Sequence, residues 1–189
     1  MTLTNITRRA LTVVLAVAAT MAVALPVGAA DSVTQAITAA GTRSASVANL
    51  TLPSVAYSFD AQTSTGTMTL TADDSTGSNL GWNVTILSSA FLYSGANDGT
   101  NIPAANFSLT TAAAPVRVEG QTIDAIGGPK VPLISPVGTL DTARKSLQAL
   151  VLFGKGTYTQ ALGVSLDIPA GSVPGTYTGT LTTTISAAP

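Results

Sequence analysis

From Val47 onward, Thr, Val, Leu and Ile alternate with small polar residues in short runs, the period-2 pattern of half-buried strands. The alternation is cleanest where Met68, Leu70 and Ala72 share one side and Thr67, Thr69 and Thr71 the other. This pattern predicts strands over 47–52, 55–59, 66–72, 81–87, 107–110, 116–118, 147–153, 162–168 and 176–186. Turn-forming clusters punctuate them at 73–77, 94–99, 127–129 and 169–171, rich in Gly, Pro, Asn and Asp. Residues 141–149 are the only stretch that reads as a helical turn. Short strands at this spacing, with no long helical period, indicate an all-β domain, an antiparallel β-sandwich of immunoglobulin-like or jelly-roll-like kind. The threonine face suits such a sheet, because a β-branched residue holds an extended backbone while its hydroxyl meets water.

The first thirty residues break this pattern. Arg8 and Arg9 precede an apolar run from Leu11 to Leu25, and Pro26-Val27-Gly28-Ala29-Ala30 supplies small residues before Asp31. Residues 1–30 therefore read as a cleavable secretory signal peptide, with cleavage after Ala29 or Ala30. An uncleaved anchor is the alternative, since the run falls just short of the roughly 20 residues that span a bilayer. Residues 31–46 are mostly Ala, Ser, Thr and Gln and read as a flexible leader, so the domain is expected to run over 47–189. The expected location is outside the cell, secreted or on the cell wall or surface, without a stable membrane span after cleavage.

Removing residues 1–30 takes two of the eight basic side chains and none of the nine acidic ones, which leaves a net charge of −3. That balance argues against nucleic acid as a partner, because binding it requires clustered Lys and Arg. The chain has no cysteine, although disulfides persist in the compartments to which a signal peptide leads. Its stability must come from the core, and neither lipid attachment through a lipobox cysteine nor a disulfide framework is open to it.

Histidine is absent too, which removes the usual general base, the usual zinc ligand and every Ser-His-Asp arrangement. What remains for hydrolysis is a carboxylate pair drawn from Asp60, Asp73, Asp74, Asp98, Glu119, Asp124, Asp141 and Asp167. None stands in a recognisable catalytic setting, so no enzyme and no cofactor are expected. Asp73 and Asp74 are weak calcium candidates, because adjacent carboxylates in a Ser-Thr-Gly loop could hold the ion with help from backbone carbonyls. They read equally as turn-forming residues that bond their own backbone. Gly156-Thr157-Tyr158-Thr159 recurs as Gly175-Thr176-Tyr177-Thr178, which reads as two similar strand starts in one sheet rather than as a solenoid repeat.

Two segments carry a resemblance. Gly81-Trp82-Asn83-Val84 matches a Trp-x-Leu strand with Val84 in place of Leu, and Tyr177, Leu181, Thr182, Ile185 and Pro189 match a C-terminal pattern of Tyr, aliphatic, Thr-Trp, Leu and Pro. Together with the Asp-rich loop, Phe91 and Gly154-Lys155-Gly156-Thr157-Tyr158 in the same order, the chain resembles the WxL family of bacterial surface proteins. It departs from that pattern at Thr183, where the family has its second tryptophan. The resemblance implies no enzyme. It implies non-covalent attachment to the cell wall through peptidoglycan or another wall glycan, and surface complexes with other exported proteins. Trp82 itself reads either as a stacking platform for a sugar or as a core residue, since Trp82, Val84 and Ile86 share one strand face. A different class, the structural subunit of a surface fibre or layer, fits the threonine-rich strands and sparse charge.

Overall fold

The computed structural model describes residues 34–37, 41–134 and 136–187. The expected signal peptide and the terminal Pro189 lie outside them. The chain divides into two units, Met1–Ala36 and Ile37–Pro189. Of the first, Thr34 to Ala36 are described, and they are exposed.

The second unit is all-β and antiparallel throughout. Its strands are β1 (Arg43–Val47), β2 (Gln62–Asp74), β3 (Trp82–Ser88), β4 (Leu92–Ser94), β5 (Phe107–Ala112), β6 (Val116–Gly120), β7 (Gly138–Thr139), β8 (Arg144–Ala149), β9 (Gly156–Ile168), β10 (Thr176–Thr178) and β11 (Leu181–Ala187). One sheet runs β1-β2-β9-β5-β7, with β6 also on β9; a second runs β11-β3-β8; β4 and β10 form a short third ribbon. β2 and β9 are the long spine, paired from Gln62 opposite Ile168 to Asp74 opposite Gly156.

The core lies between the two larger sheets and follows from the period of two. Met68, Leu70 and Ala72 of β2 and Tyr158, Leu162, Val164 and Leu166 of β9 are buried, as are Trp82, Val84 and Ile86 of β3 and Leu147 and Ala149 of β8. Thr67 and Thr69 on the other face of β2 are exposed, as the alternation predicts. The fold is thus the antiparallel β-sandwich that the sequence indicates.

β5 and β6 lie end to end along the same side of β9 and act as one strand broken at Ala113-Ala114-Pro115. Pro115 has no N–H to give a ladder. The buried Gln160 bridges the break, its Nε2 donating to Ala113 O at 2.9 Å and to Ser146 O at 3.1 Å.

Several expectations are corrected. The leader does not extend to residue 46, because Arg43–Val47 pairs with β2 in full register. What holds it there is a buried ion pair, Arg43 Nη2 to Asp74 Oδ2 at 2.9 Å, invisible to composition alone. The strands expected over 47–52 and 55–59 are a connecting strap instead. Leu50 and Leu52 still turn toward the core, but Pro53 interrupts the donors and no neighbouring strand receives them. The helical turn expected over 141–149 is a turn followed by β8, since Arg144 to Ala149 find partners on β3, and pairing overrides local preference. The strand expected over 147–153 ends at Ala149. That expected over 176–186 is split at Gly179 and Thr180 into β10 and β11, which belong to different sheets. At Gly179 an added Cβ would lie 3.0 Å from the Phe91 ring, so the backbone passes close over that ring. The two Gly-Thr-Tyr segments consequently start strands in different sheets, β9 and β10.

Candidate functional site: a neutral groove with exposed aromatics

The strap between β1 and β2 forms one wall of a groove. From Asn49 to Tyr57 it belongs to no strand, and among the described residues none of those amides donates to a backbone carbonyl. The strap is fixed at two points: Ser64 Oγ donates to Pro53 O at 2.9 Å, and Gly171 N–H donates to Ser58 O at 3.0 Å. Beyond Pro53 the strap is largely open to solvent, and Val55 is 41%, Tyr57 50% and Phe59 83% exposed. The Tyr57 and Phe59 rings stand edge to face, 5.2 Å between centroids. Such contact is favourable between aromatic rings and orients the pair.

Residues 172–179 form the opposite wall. Tyr177 packs on Tyr93 at 5.3 Å and donates its hydroxyl to Val173 O at 2.9 Å; Tyr93 donates to Pro174 O at 3.1 Å. Burial, with Tyr93 adding to it, raises the Tyr177 pKa, so the phenol is neutral at any ordinary pH. Phe91, Ile102, Leu166 and Ile168 make the apolar floor. The cavity measures about 740 Å³. A second cavity of about 630 Å³, between β1 and β11, shares Leu50, Leu52, Phe91, Thr178 and Gly179 with it, so the two adjoin, and the groove comprises both. Among the described residues no Asp, Glu, Lys or Arg lines either part. The polar groups are hydroxyls, Gln62, Asn49 and free backbone amides, a set that can hydrogen-bond a neutral ligand and offers nothing to a charged one.

The family-motif residues are brought together by pairing. β3 and β11 are neighbours, with Val84 opposite Ile185, Ile86 opposite Thr183, Leu87 opposite Thr182 and Ser88 opposite Leu181; Tyr177 sits apart on β10, opposite Tyr93. Trp82 is fully buried, 6.3 Å from Tyr158, and donates its indole N–H to Gly154 O at 2.8 Å. It is a core residue and no platform. Thr183 is half-buried and lines the groove, so the position at which the family pattern has tryptophan opens here onto space.

The eight carboxylates do not converge in the groove. Asp60 ends the strap; Asp98 and Asp141 are exposed in loops; Asp167 faces Thr63. Asp124 accepts the Ile126 and Gly127 amides at 2.8 and 2.6 Å, which holds its carboxyl below the usual range. Asp73 and Asp74 are not a calcium cradle. As consecutive residues of β2 they point to opposite faces: Asp74 inward to Arg43, Asp73 outward to Thr157 Oγ1 at 2.7 Å, where Glu119 also lies at 3.3 Å. Among the described residues no three potential metal-ligating side chains come together.

Sequence reasoning missed Tyr57 and Phe59 as site residues. The signal was there, since two aromatics at i and i+2 beyond a proline, in a segment with no partner strand, share one face. Comparison of the chain with protein-family models, with curated proteins and with solved structures gave no match.

Proposed function

We propose that the protein is an exported, non-catalytic surface protein that holds the cell wall non-covalently by binding a neutral stretch of wall glycan, peptidoglycan above all, in the groove. The observation that carries this reading is the groove's chemistry: an open channel without a charged side chain among the described residues, lined at one end by the exposed Tyr57, with the exposed Phe59 against it edge to face. A sugar presents apolar C–H faces to a ring and hydroxyls to the edge of a site, and Tyr57 and Phe59 flanked by hydroxyls and backbone amides answer both. The chain also spends two large exposed aromatics here, which solvation alone disfavours. The motif resemblance points the same way, as does the lack of histidine and cysteine for catalysis.

The test is co-sedimentation of the exported chain with purified peptidoglycan. Because the groove is uncharged, retention should persist from low to high salt, which screens only charge-based attachment. A chain that stays wholly in the supernatant under both conditions would overturn the reading. A second reading, a subunit of a surface fibre, is favoured by β1 and β11, each paired on one side only among the described residues. It requires concentration-dependent polymers in negative-stain images, and a strictly monomeric sample contradicts it.

A further inference from the structure

The loops at the far end of the spine carry a second surface, independent of the glycan reading. β3 begins there, β6 and β8 end there, and β9 starts there. The loops are tied through the backbone: Leu150 N–H donates to Gly127 O and Leu152 N–H to Asn79 O, each at 2.8 Å, while Gln121 Nε2 donates to Leu152 O at 3.2 Å. The loops so tied carry five exposed aliphatic residues at this end: Leu80 58%, Ile126 78%, Leu150 42%, Val151 54% and Leu152 58%.

Leu152 shows that this exposure is not incidental. Its φ is +76°, and among the described residues it is the only non-glycine residue with a positive φ; the chain uses glycine at the eight others. An L side chain is disfavoured in that conformation, whereas glycine adopts it freely. Both the amide and the carbonyl of Leu152 are pinned by the bonds above, so the surroundings impose the conformation. Burial does not compensate, because more than half of the side chain faces water. A strained residue that presents an apolar group to solvent points to something outside the fold that covers it.

The rim identifies the partner's chemistry. Lys130 and Lys155 flank the aliphatic surface, their ammonium groups donating to neutral oxygens, Ile126 O and Asn79 Oδ1. Neither is in a salt bridge among the described residues; Asp124, whose carboxylate accepts two backbone amides, lies near enough to Lys130 to feel its charge but forms no ion pair with it. We propose that this end of the protein docks on a lipid surface bearing anionic headgroups, with the aliphatic side chains in the interface and the two lysines on the phosphates. Protein interfaces favour aromatics, Met and Arg and are poor in Lys, whereas this surface combines aliphatic side chains with lysines. A lysine lays its stem along apolar material and delivers its charge to a headgroup, the arrangement of interfacial lipid binders. Docking of this kind is reversible and weakens with salt, unlike retention in the groove.

The experiment is flotation of the exported chain, from residue 31 on, with vesicles of phosphatidylcholine alone or mixed with phosphatidylglycerol. The chain should float with the mixed vesicles at low salt. Leu152→Gly should lower partitioning about tenfold or more, as loss of a leucine from an apolar phase does, while its unfolding temperature stays level or rises because the strain is relieved. Lys130→Gln with Lys155→Gln should abolish the preference for phosphatidylglycerol. The proposal is overturned if the folded wild-type chain floats with neither vesicle, or if Leu152→Gly floats as well as wild type. It is equally overturned if that variant's one effect is to dissolve a concentration-dependent dimer, which would make the surface a protein contact.

Discussion

Trp82 shows how a single residue can be read from its surroundings. Its ring is sealed between β3 and Tyr158, and its only polar atom is satisfied by Gly154 O at 2.8 Å. Trp82→Ala should therefore destabilise the fold by about 3–5 kcal/mol, the cost of deleting a large buried aromatic. As the only tryptophan, its fluorescence in the native chain should lie to the blue and should not shift on adding wall fragments; a solvent-like maximum in the folded protein would refute the burial. Arg43 poses the complementary case. Removing it leaves the Asp74 carboxylate, 1% exposed, facing its remaining Thr76 donors alone. Loss of one partner of a buried pair costs about 3–5 kcal/mol, and the 15% exposure of Arg43 places Arg43→Ala at the lower end, about 3 kcal/mol by chemical denaturation. The core role of Trp82 was legible in the sequence because its partners Val84 and Ile86 follow at intervals of two. The role of Arg43 was not, since its partner lies 31 residues away and the ion pair is a product of the fold.

At the scale of elements, alternation locates what is half-buried but not what is paired. β2 and the second half of β9 were legible because their buried and exposed positions alternate, and β3 and β5 because short runs of apolar and β-branched residues lie between turn signals. The first half of β9, Gly156 to Ala161, fell outside the strand expected over 162–168. The strap alternates large and small residues at Val55, Tyr57 and Phe59 and forms no ladder, because pairing needs a neighbour that the sequence does not announce. β4 and β7 escaped notice, being three and two residues long and too short to show any period. β8 was mistaken for a helical turn because Ala, Arg, Lys and Gln favour helices locally, and β3 decides otherwise. The groove inherits this limit: its walls come from the two pieces of chain whose pairing was misjudged. The half-buried Thr183 gives an element-level test, since its side chain borders the lower part of the groove. Thr183→Trp should fill that space, leave the β3–β11 register intact and reduce glycan retention; unchanged retention in a folded variant would show that the ligand does not reach so far.

For the whole molecule, the titratable groups define a broad pH range. With no histidine and no cysteine, no side chain has an ordinary pKa between about 5 and about 8. The Tyr158 phenol is raised above 10.0, chiefly by burial, against an opposing pull from Arg117 and with a smaller push from Asp74; Tyr177 is raised as well. Groups with a raised folded pKa contribute stability that is intact below the unfolded value and lost as pH climbs through the folded one. Asp124 works in the other direction, contributing above its ordinary 3.8 and losing that contribution as pH falls through its lowered value. Thermal unfolding should therefore be level across neutral pH and fall off above about 10 and below about 4; a transition near pH 6 or 7 in scanning calorimetry would contradict this.

The claim at the centre of the account is that the exposed aromatic pair, and not the surface charge or the buried tryptophan, holds the wall glycan. The direct measurement compares the native chain with Tyr57→Ser/Phe59→Ser for retention on purified peptidoglycan, with unfolding temperature recorded alongside. Both side chains are exposed, so stability should change little, while retention should fall about tenfold or more as two stacking faces are lost. Equal retention by the two folded proteins would contradict the account.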